Sequence, residues 1–193
     1  GEPVRKFPRA CPRVNVEWQV RDQPPDCIAQ GIDCAVQVGE VNDPAVVAIR
    51  LAEVPRIVVG APALLGGGPV PDHARALAAL PWLAFQTFYR QQIVLQHRSS
   101  GEWCELALQP RLSSDSLYAL RSAALQGLGV GVFSSWLVQD DLAQGRLLHL
   151  APQWQAPPLP VSLVYPYAQH YPARLRRFVE VMRQALPAAL AQV

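Results

Sequence analysis

Three sets of residues have types and spacings suited to chemistry, and each points to a different kind. The first is Leu125-Gln-Gly-Leu-Gly-Val-Gly-Val-Phe-Ser-Ser-Trp136, which places glycines at alternate positions. A backbone cradles a nucleotide phosphate this way when a strand enters the glycines and a helix leaves them, so that the phosphate meets the helix N-terminus. Here the order is reversed. Ser113-Ser-Asp-Ser116 supplies N-cap residue types, and Leu117, Leu120, Ala124 and Leu128 follow at helical spacing, so a helix enters the glycines and the strand Val130–Phe133 leaves them. Gly127 therefore reads as a left-handed C-cap, Gly129 as a turn residue, and Gly131 as a small strand residue approached by a neighbouring backbone. Gly66 to Gly68 is not followed by the Lys-Ser or Lys-Thr of a phosphate loop and reads as a plain loop.

The second set is made of hydroxyls at helix starts. Ser113, Ser114 and Asp115 open the first helix, and Ser134 and Ser135 join the Val-Gly-Val-Phe strand to a second helix, Trp136 to Leu142. Capping alone accounts for serines at such places. If the two starts lie at the carboxyl ends of parallel strands, they also converge on the usual ligand position of an open α/β sheet, offering backbone N–H groups beside hydroxyls. Phe85, Gln86 and Thr87, at the end of the strand Trp82–Thr87, add a stacking surface and two hydrogen-bonding groups, with core packing an equal account of Phe85.

The third set, cysteines and histidines, points away from catalysis. Cys11, Cys27, Cys34 and Cys104 are separated by 16, 7 and 70 positions, which leaves no C-x-x-C pair for zinc or dithiol exchange and suggests reduced, buried thiols. A redox role for Cys34 would need an exposed thiolate of low pKa, and no cation lies near it in sequence. His73, His97, His149 and His170 have no metal spacing, and neither a G-x-S-x-G elbow nor an H-E-x-x-H pair is present. No catalytic residue, metal or cofactor is expected. The chemistry left is binding without bond-making.

The elements that must position these groups follow from periodicity. Val14–Val20 alternates as a strand with one wet face, and Pro24-Pro25 opens a short helical stretch ending at Gly31. Cys34–Val38, Val46–Glu53 and Arg56–Gly60 read as separate strands, the last bounded by prolines. Ala61–Pro69 is a helical turn running into the glycine loop, and Asp72–Leu80 is a short helix. Ile93–His97 and Trp103–Leu108 form a hairpin through Ser99-Ser-Gly101. A proline-rich connection, Ala156–Pro160, leads to a last strand, Val161–Tyr165, and a closing helix carries Leu175, Phe178, Met182 and Ala185 as one apolar stripe.

Composition bounds the function. The chain has 193 residues, 50% apolar, enough for one ordinary domain or two small lobes. Its basic residues are spread out, and the one cluster, Arg174-Leu-Arg-Arg177, is too small a footprint for nucleic acid. Nothing resembles a signal peptide or an apolar run long enough to span a membrane, so a cytoplasmic location is expected.

Several runs, in this order, resemble the effector-binding domain of LysR-type transcriptional regulators. They are Gly31-Ile-Asp-Cys-Ala-Val-Gln-Val-Gly39, Val58-Val-Gly-Ala-Pro62, Ala124-Leu-Gln-Gly-Leu-Gly-Val-Gly-Val132, Gly145-Arg-Leu-Leu148, and Tyr165-Pro-Tyr with Ala173-Arg-Leu-Arg-Arg-Phe178. The resemblance covers residues 12 to 187. It implies an α/β fold of two Rossmann-like lobes joined by two crossover strands, like a type II periplasmic binding protein. Lobe I would hold residues 1–59 and 164–193, and lobe II residues 60–163. It also implies a small-molecule effector between the lobes, touching Gln37, Gly39, Phe85, Gln86, Thr87, Ser113, Ser114, Phe133 and Ser134. Paired domains, a homodimer or in full length a tetramer, would relay its presence to promoter DNA through an N-terminal winged helix-turn-helix that this chain lacks, with no membrane partner. The alternative is a periplasmic-type solute-binding protein.

Two departures bear on the effector. Cys11-Pro-Arg-Val14 matches the end of the family's first helix, so the preceding strand, with its Ser/Thr-bearing effector loop, is expected to be missing. Where the family often has Ile-Arg-x-Gly, this chain has Val36-Gln-Val-Gly39, which removes a guanidinium. Asp115 already satisfies one helix start. The missing strand would leave one wall of the pocket incomplete, while the lost guanidinium and Asp115 both weaken the case for an acidic effector, so that a polar or mixed aromatic one is at least as plausible.

Overall fold

Val46-Val-Ala-Ile-Arg-Leu-Ala-Glu-Val54 and the apolar run Ile57–Val59 build one strand of 15 residues, the longest among the described residues. The computed structural model describes residues 15–17, 19–21 and 26–191, with the side chains of the last helix described as far as Pro187. In chain order the elements are β1 (Ala35–Val38), β2 (Val46–Gly60), 3-10 helices at Pro62–Leu65 and Ala74–Ala79, β3 (Trp82–Phe85), β4 (Gln92–His97), β5 (Trp103–Ala107), β6 (Pro110–Ser114), α1 (Leu117–Leu125), β7 (Gly131–Ser134), α2 (Ser135–Ala143), β8 (Leu148–Leu150), β9 (Trp154–Pro166) and α3 (Ala173–Ala191).

Two expected interruptions are absent. Pro55 does not end a strand: β2 runs through it, and the register with β7 starts at Arg56, so the missing N–H falls outside that ladder. Likewise Pro157, Pro158 and Pro160 lie inside the continuous strand β9, where proline's fixed φ suits extended backbone. The strand expected at Val14–Val20 is not formed at its described positions, 15–17 and 19–20, and Val14 lies outside the described residues, as do Cys11, Pro24 and Pro25. Residues 27–31 form a turn, closed by Ile32 N–H on the Cys27 carbonyl at 2.8 Å and ended by Gly31 at φ +63°.

Contacts divide the chain into a unit of residues 1–54 and 159–193 and a unit of residues 55–158, the divisions falling inside β2 and β9. In the first unit β1 pairs antiparallel with β9, from Ala35 opposite Val164 to Val38 opposite Val161. Along α3, Leu175 and Met182 are buried and Phe178 and Ala185 half-buried, the stripe expected of a helix packed on one side. Burial pushes the Cys34 thiol up to about 12, the opposite of what a reactive thiolate needs.

In the second unit β2 pairs antiparallel with β7 and β8, β4 with β5, and β3 parallel with β6. One core of buried residues, including Val58, Leu77, Trp82, Leu83, Leu120, Phe133 and Trp154, fills it. Helix α1 ends as a Schellman motif. Gly127 sits at φ +73°, its N–H bonds the Ala124 carbonyl at 2.9 Å and the Leu128 N–H bonds that of Ala123 at 3.0 Å. Beyond it the expected roles of two glycines exchange. A Cβ on Gly129 would stand 2.8 Å from the Pro81 carbonyl, so this is where a backbone approaches, whereas one on Gly131 would meet the Phe133 ring at 2.8 Å.

Helices α1 and α2 are pinned to each other by one carboxylate. Asp141, fully buried on α2, accepts two bonds from Arg121 of α1 at 2.6 and 2.8 Å and a third from Arg146 at 2.6 Å. Removing one partner of a buried pair costs about 3–5 kcal/mol. Because both guanidinia reach water, Asp141→Ala should lose about 3 kcal/mol, read as a lower urea midpoint. A loss below about 1 kcal/mol would show that the pair behaves as an ordinary surface bridge.

Candidate functional site

The carboxyl ends of three parallel strands meet at one edge of the 55–158 unit. β3 and β6 pair in register from Leu83 opposite Leu112 to Phe85 opposite Ser114, and β7 joins the other side of β3 by the parallel bridge Trp82–Val130. That bridge consists of Leu83 N–H on the Val130 carbonyl and Val130 N–H on the Pro81 carbonyl, each 2.8 Å. A continuing ladder would next join Val132 N–H to the Leu83 carbonyl. Tyr89 takes that position instead. Its hydroxyl accepts from Val132 N–H at 3.0 Å and donates to the Leu83 carbonyl at 3.1 Å, so one buried side chain satisfies both strands where their direct pairing stops. The turn after β3 delivers it, with Phe88 and Tyr89 N–H both bonded to the Phe85 carbonyl at 3.1 and 2.9 Å.

At this edge the structure places the expected residues unequally. Ser113 and Ser114 are the last residues of β6, not helix caps: Ser114 Oγ accepts from Ser116 N–H at 3.0 Å, and Ser116 is the N-cap of α1. Ser113 is exposed and Ser114 half-buried. Ser134 occupies the N-cap position of α2 without making a side-chain cap bond. Gln86 and Thr87 are exposed, and the Gln86 N–H continues the ladder to the Ser114 carbonyl at 3.0 Å. Phe85 and Phe133 are buried members of the core, so near this edge they expose little ring surface. The ring that is exposed is Phe88, 5.4 Å from Phe85 between centroids.

The other unit holds Gln37 and Gly39. Gln37 is half-buried opposite Ser162 in the β1–β9 ladder, and its Nε2 donates to the Glu40 carbonyl at 3.0 Å. Gly39, at φ +102°, donates its N–H to the Pro160 carbonyl at 2.8 Å, a backbone state that other residues rarely adopt.

Three residues at the edge escaped the reading of the sequence: Tyr89, Phe88 and Arg56. Arg56 lies opposite Ser134 in the β2–β7 ladder, donates Nε–H to the Pro157 carbonyl at 2.8 Å and stands 5.8 Å over the Phe88 ring. The available signal was a single charge set in the apolar run Val54 to Val59. Among the described residues no three His, Cys, Asp or Glu side chains are grouped to hold a metal ion. The edge offers hydroxyls, amides, backbone N–H groups and a guanidinium, all of them binding groups.

The sequence matches the family described as LysR substrate binding domain over residues 2–187. It is 32% identical over 197 residues to the HTH-type transcriptional regulator PtxR of Pseudomonas aeruginosa, covering 96% of this chain and 60% of that protein. To the HTH-type transcriptional regulator DmlR of Escherichia coli it is 27% identical, covering 91% and 57%. The chain thus spans about 60% of the length of these relatives. Among solved structures, the regulatory domain of CrgA, a LysR-type transcriptional regulator from Neisseria meningitidis, superposes with a TM-score of 0.74 at 24% identity, covering 96% of this chain and 90% of that one. The full-length Vibrio cholerae virulence activator AphB gives 0.77 at 24% identity, covering 93% and 61%. These likenesses carry the fold, which is the expected type II periplasmic-binding-protein plan.

Tyr89→Phe removes the acceptor of a buried N–H and should cost about 1–3 kcal/mol. Burial pushes the phenol up to about 12 from its ordinary 10.0. A raised pKa leaves stability intact below pH 10 and erodes it as pH climbs toward 12, because the unfolded chain then gives up the proton first. Urea midpoints measured across that window should fall less steeply in Tyr89→Phe. Identical midpoints and slopes in the two proteins would exclude the bridging role.

Proposed function

Since the chain belongs to the LysR substrate-binding domain family, we propose that it is the effector-sensing part of a bacterial LysR-type transcriptional regulator. The family is one of regulators and not of enzymes. The observation that carries the reading is the edge itself: three parallel carboxyl ends and two helix starts, supplied with hydrogen-bonding groups and one exposed ring. A small molecule is the ligand that such an edge fits.

The proposed contacts in the 55–158 unit are Ser113, Ser114, Gln86, Thr87 and Ser134, with the buried Phe85 and Phe133. Moving a two-state domain from 1:99 to 99:1 takes about 5.5 kcal/mol of differential affinity. One helix start supplies about 0.3–1 kcal/mol when exposed and about 2 when sheltered. The effector must therefore draw on several contacts beyond one helix start to shift the population. In the proposed protein, a homodimer or a tetramer relays that shift to an N-terminal winged helix-turn-helix on promoter DNA. A cytoplasmic location goes with that role, and no helix among the described residues is long and apolar enough to cross a membrane. A periplasmic-type solute-binding protein would share the plan, but the relatives named above are transcriptional regulators.

A thermal-shift screen of metabolites is the first test, since a ligand at 100 times its Kd adds about 2.7 kcal/mol of stability. For a compound that binds, Ser113→Ala and Thr87→Ala should each weaken binding by about threefold to tenfold, the loss of one hydrogen bond. Unchanged affinity in the double variant would remove this edge from the site.

A further inference from the structure

Arg56 is a half-buried cation that no described carboxylate answers. Its Nε–H is used by the Pro157 carbonyl, and neither terminal nitrogen has a hydrogen-bond partner among the described residues. Those nitrogens are not sealed, since among the described residues the one buried side-chain atom lacking a partner is His149 Nε2. Burial draws the guanidinium pKa down, yet an arginine remains charged at neutral pH. Leaving a desolvated charge unanswered is costly.

Its surroundings are also rich in donors. Arg56 and Ser134 are direct partners in the antiparallel β2–β7 ladder, so their side chains leave the same face with Cβ atoms about 4.5–5.5 Å apart. Ser134 is only 6% exposed, and its hydroxyl makes no hydrogen bond to the described residues while still reaching solvent. It stands at the start of α2, a helix of nine residues whose first turn carries no acidic side chain and whose N-terminus has no side-chain cap. The start of α2, the Ser134 hydroxyl and the Arg56 side chain thus lie on one face of the ladder, where the acceptor that the described residues supply is the Pro157 carbonyl, on the Nε–H alone. The Phe88 face, beneath the guanidinium, fixes its plane.

We infer that Arg56, Ser134 and the start of α2 form a receptor for a carboxylate or comparable small oxyanion, so that Arg56 determines specificity for an acidic effector. This rests on the proposed effector site and names its ligand class. It reverses the expectation drawn from Gln37 and Asp115. Asp115 lies before α1, whereas the first turn of α2 carries no acidic side chain.

The test uses the 193-residue chain and organic acids paired with their neutral amides, titrated by calorimetry, with inorganic phosphate as an anion lacking an organic body. Wild type should prefer the acid of a binding pair. Arg56→Gln should weaken the acid by about tenfold to a hundredfold, as for a lost charge-assisted bond, and leave the amide nearly unchanged, while Ser134→Ala acts in the same direction but less. Equal binding of acid and amide to wild type, or an equal loss of both in Arg56→Gln, would overturn the inference and assign Arg56 a structural role. A neutral ligand whose affinity responds to Ser113→Ala and Thr87→Ala would overturn it while sparing the effector site. Binding by no compound at all would remove both. Should Arg56→Gln fail to fold, nitrogen-15 spectra of wild type decide: the Arg56 Nε–H and the Ser135 to Leu137 amides must move with the acid and stay put with the amide.

Discussion

A single phenolic oxygen allows β3 and β7 to part without leaving backbone groups unpaired. Parallel strands pair through evenly spaced bonds, and ending such a ladder inside a core strands an N–H and a carbonyl, each costly to bury alone. Tyr89 answers both, accepting from Val132 and donating to Leu83. The ladder can then end at the Trp82–Val130 bridge, and the carboxyl ends of β3 and β7 become free of each other at the edge where α2 starts. The residues that matter at this edge, Phe85 to Phe88 on one side and Ser134 on the other, take their positions from that release.

The helices that follow these strands are held by a second buried polar group. Asp141 engages Arg121 and Arg146 through its carboxylate, while its carbonyl accepts the N–H groups of Arg146 and Leu147 at 2.8 and 3.2 Å. It links α1 to α2 and closes the loop into β8 at the far end of α2 from Ser134. The sheet and the helix pair are thus each fixed by one satisfied polar group within an otherwise apolar core.

How much of this the amino-acid order disclosed depended on whether the signal was local. The β4–β5 hairpin, α1 and its Gly127 cap follow from turn chemistry and periodicity, which act over a few residues. The continuity of β2 and β9 does not, because Pro55 and Pro157 to Pro160 look like breaks until it is known which side of the strand needs an N–H. β6 hid for another reason: its serines resemble caps, and only the parallel register with β3 makes them strand residues. Tyr89 left no local signal, and Arg56 only a lone charge in an apolar run. Each acts on a strand remote in sequence, Val132 for one and Pro157 for the other.

That difference bears on the charge balance of the edge, which reads differently along the chain and in space. Counting along the chain finds a lost guanidinium at Gln37 and a carboxylate at Asp115, a sum that disfavours anions. Counting in space places Arg56 beside Ser134, because β2 and β7 are antiparallel and bring those positions opposite each other. A charge in a strand is felt across the ladder at about 5 Å. The selectivity proposed for the edge therefore rests on register, since a one-residue slip of β2 against β7 would turn Arg56 to the opposite face.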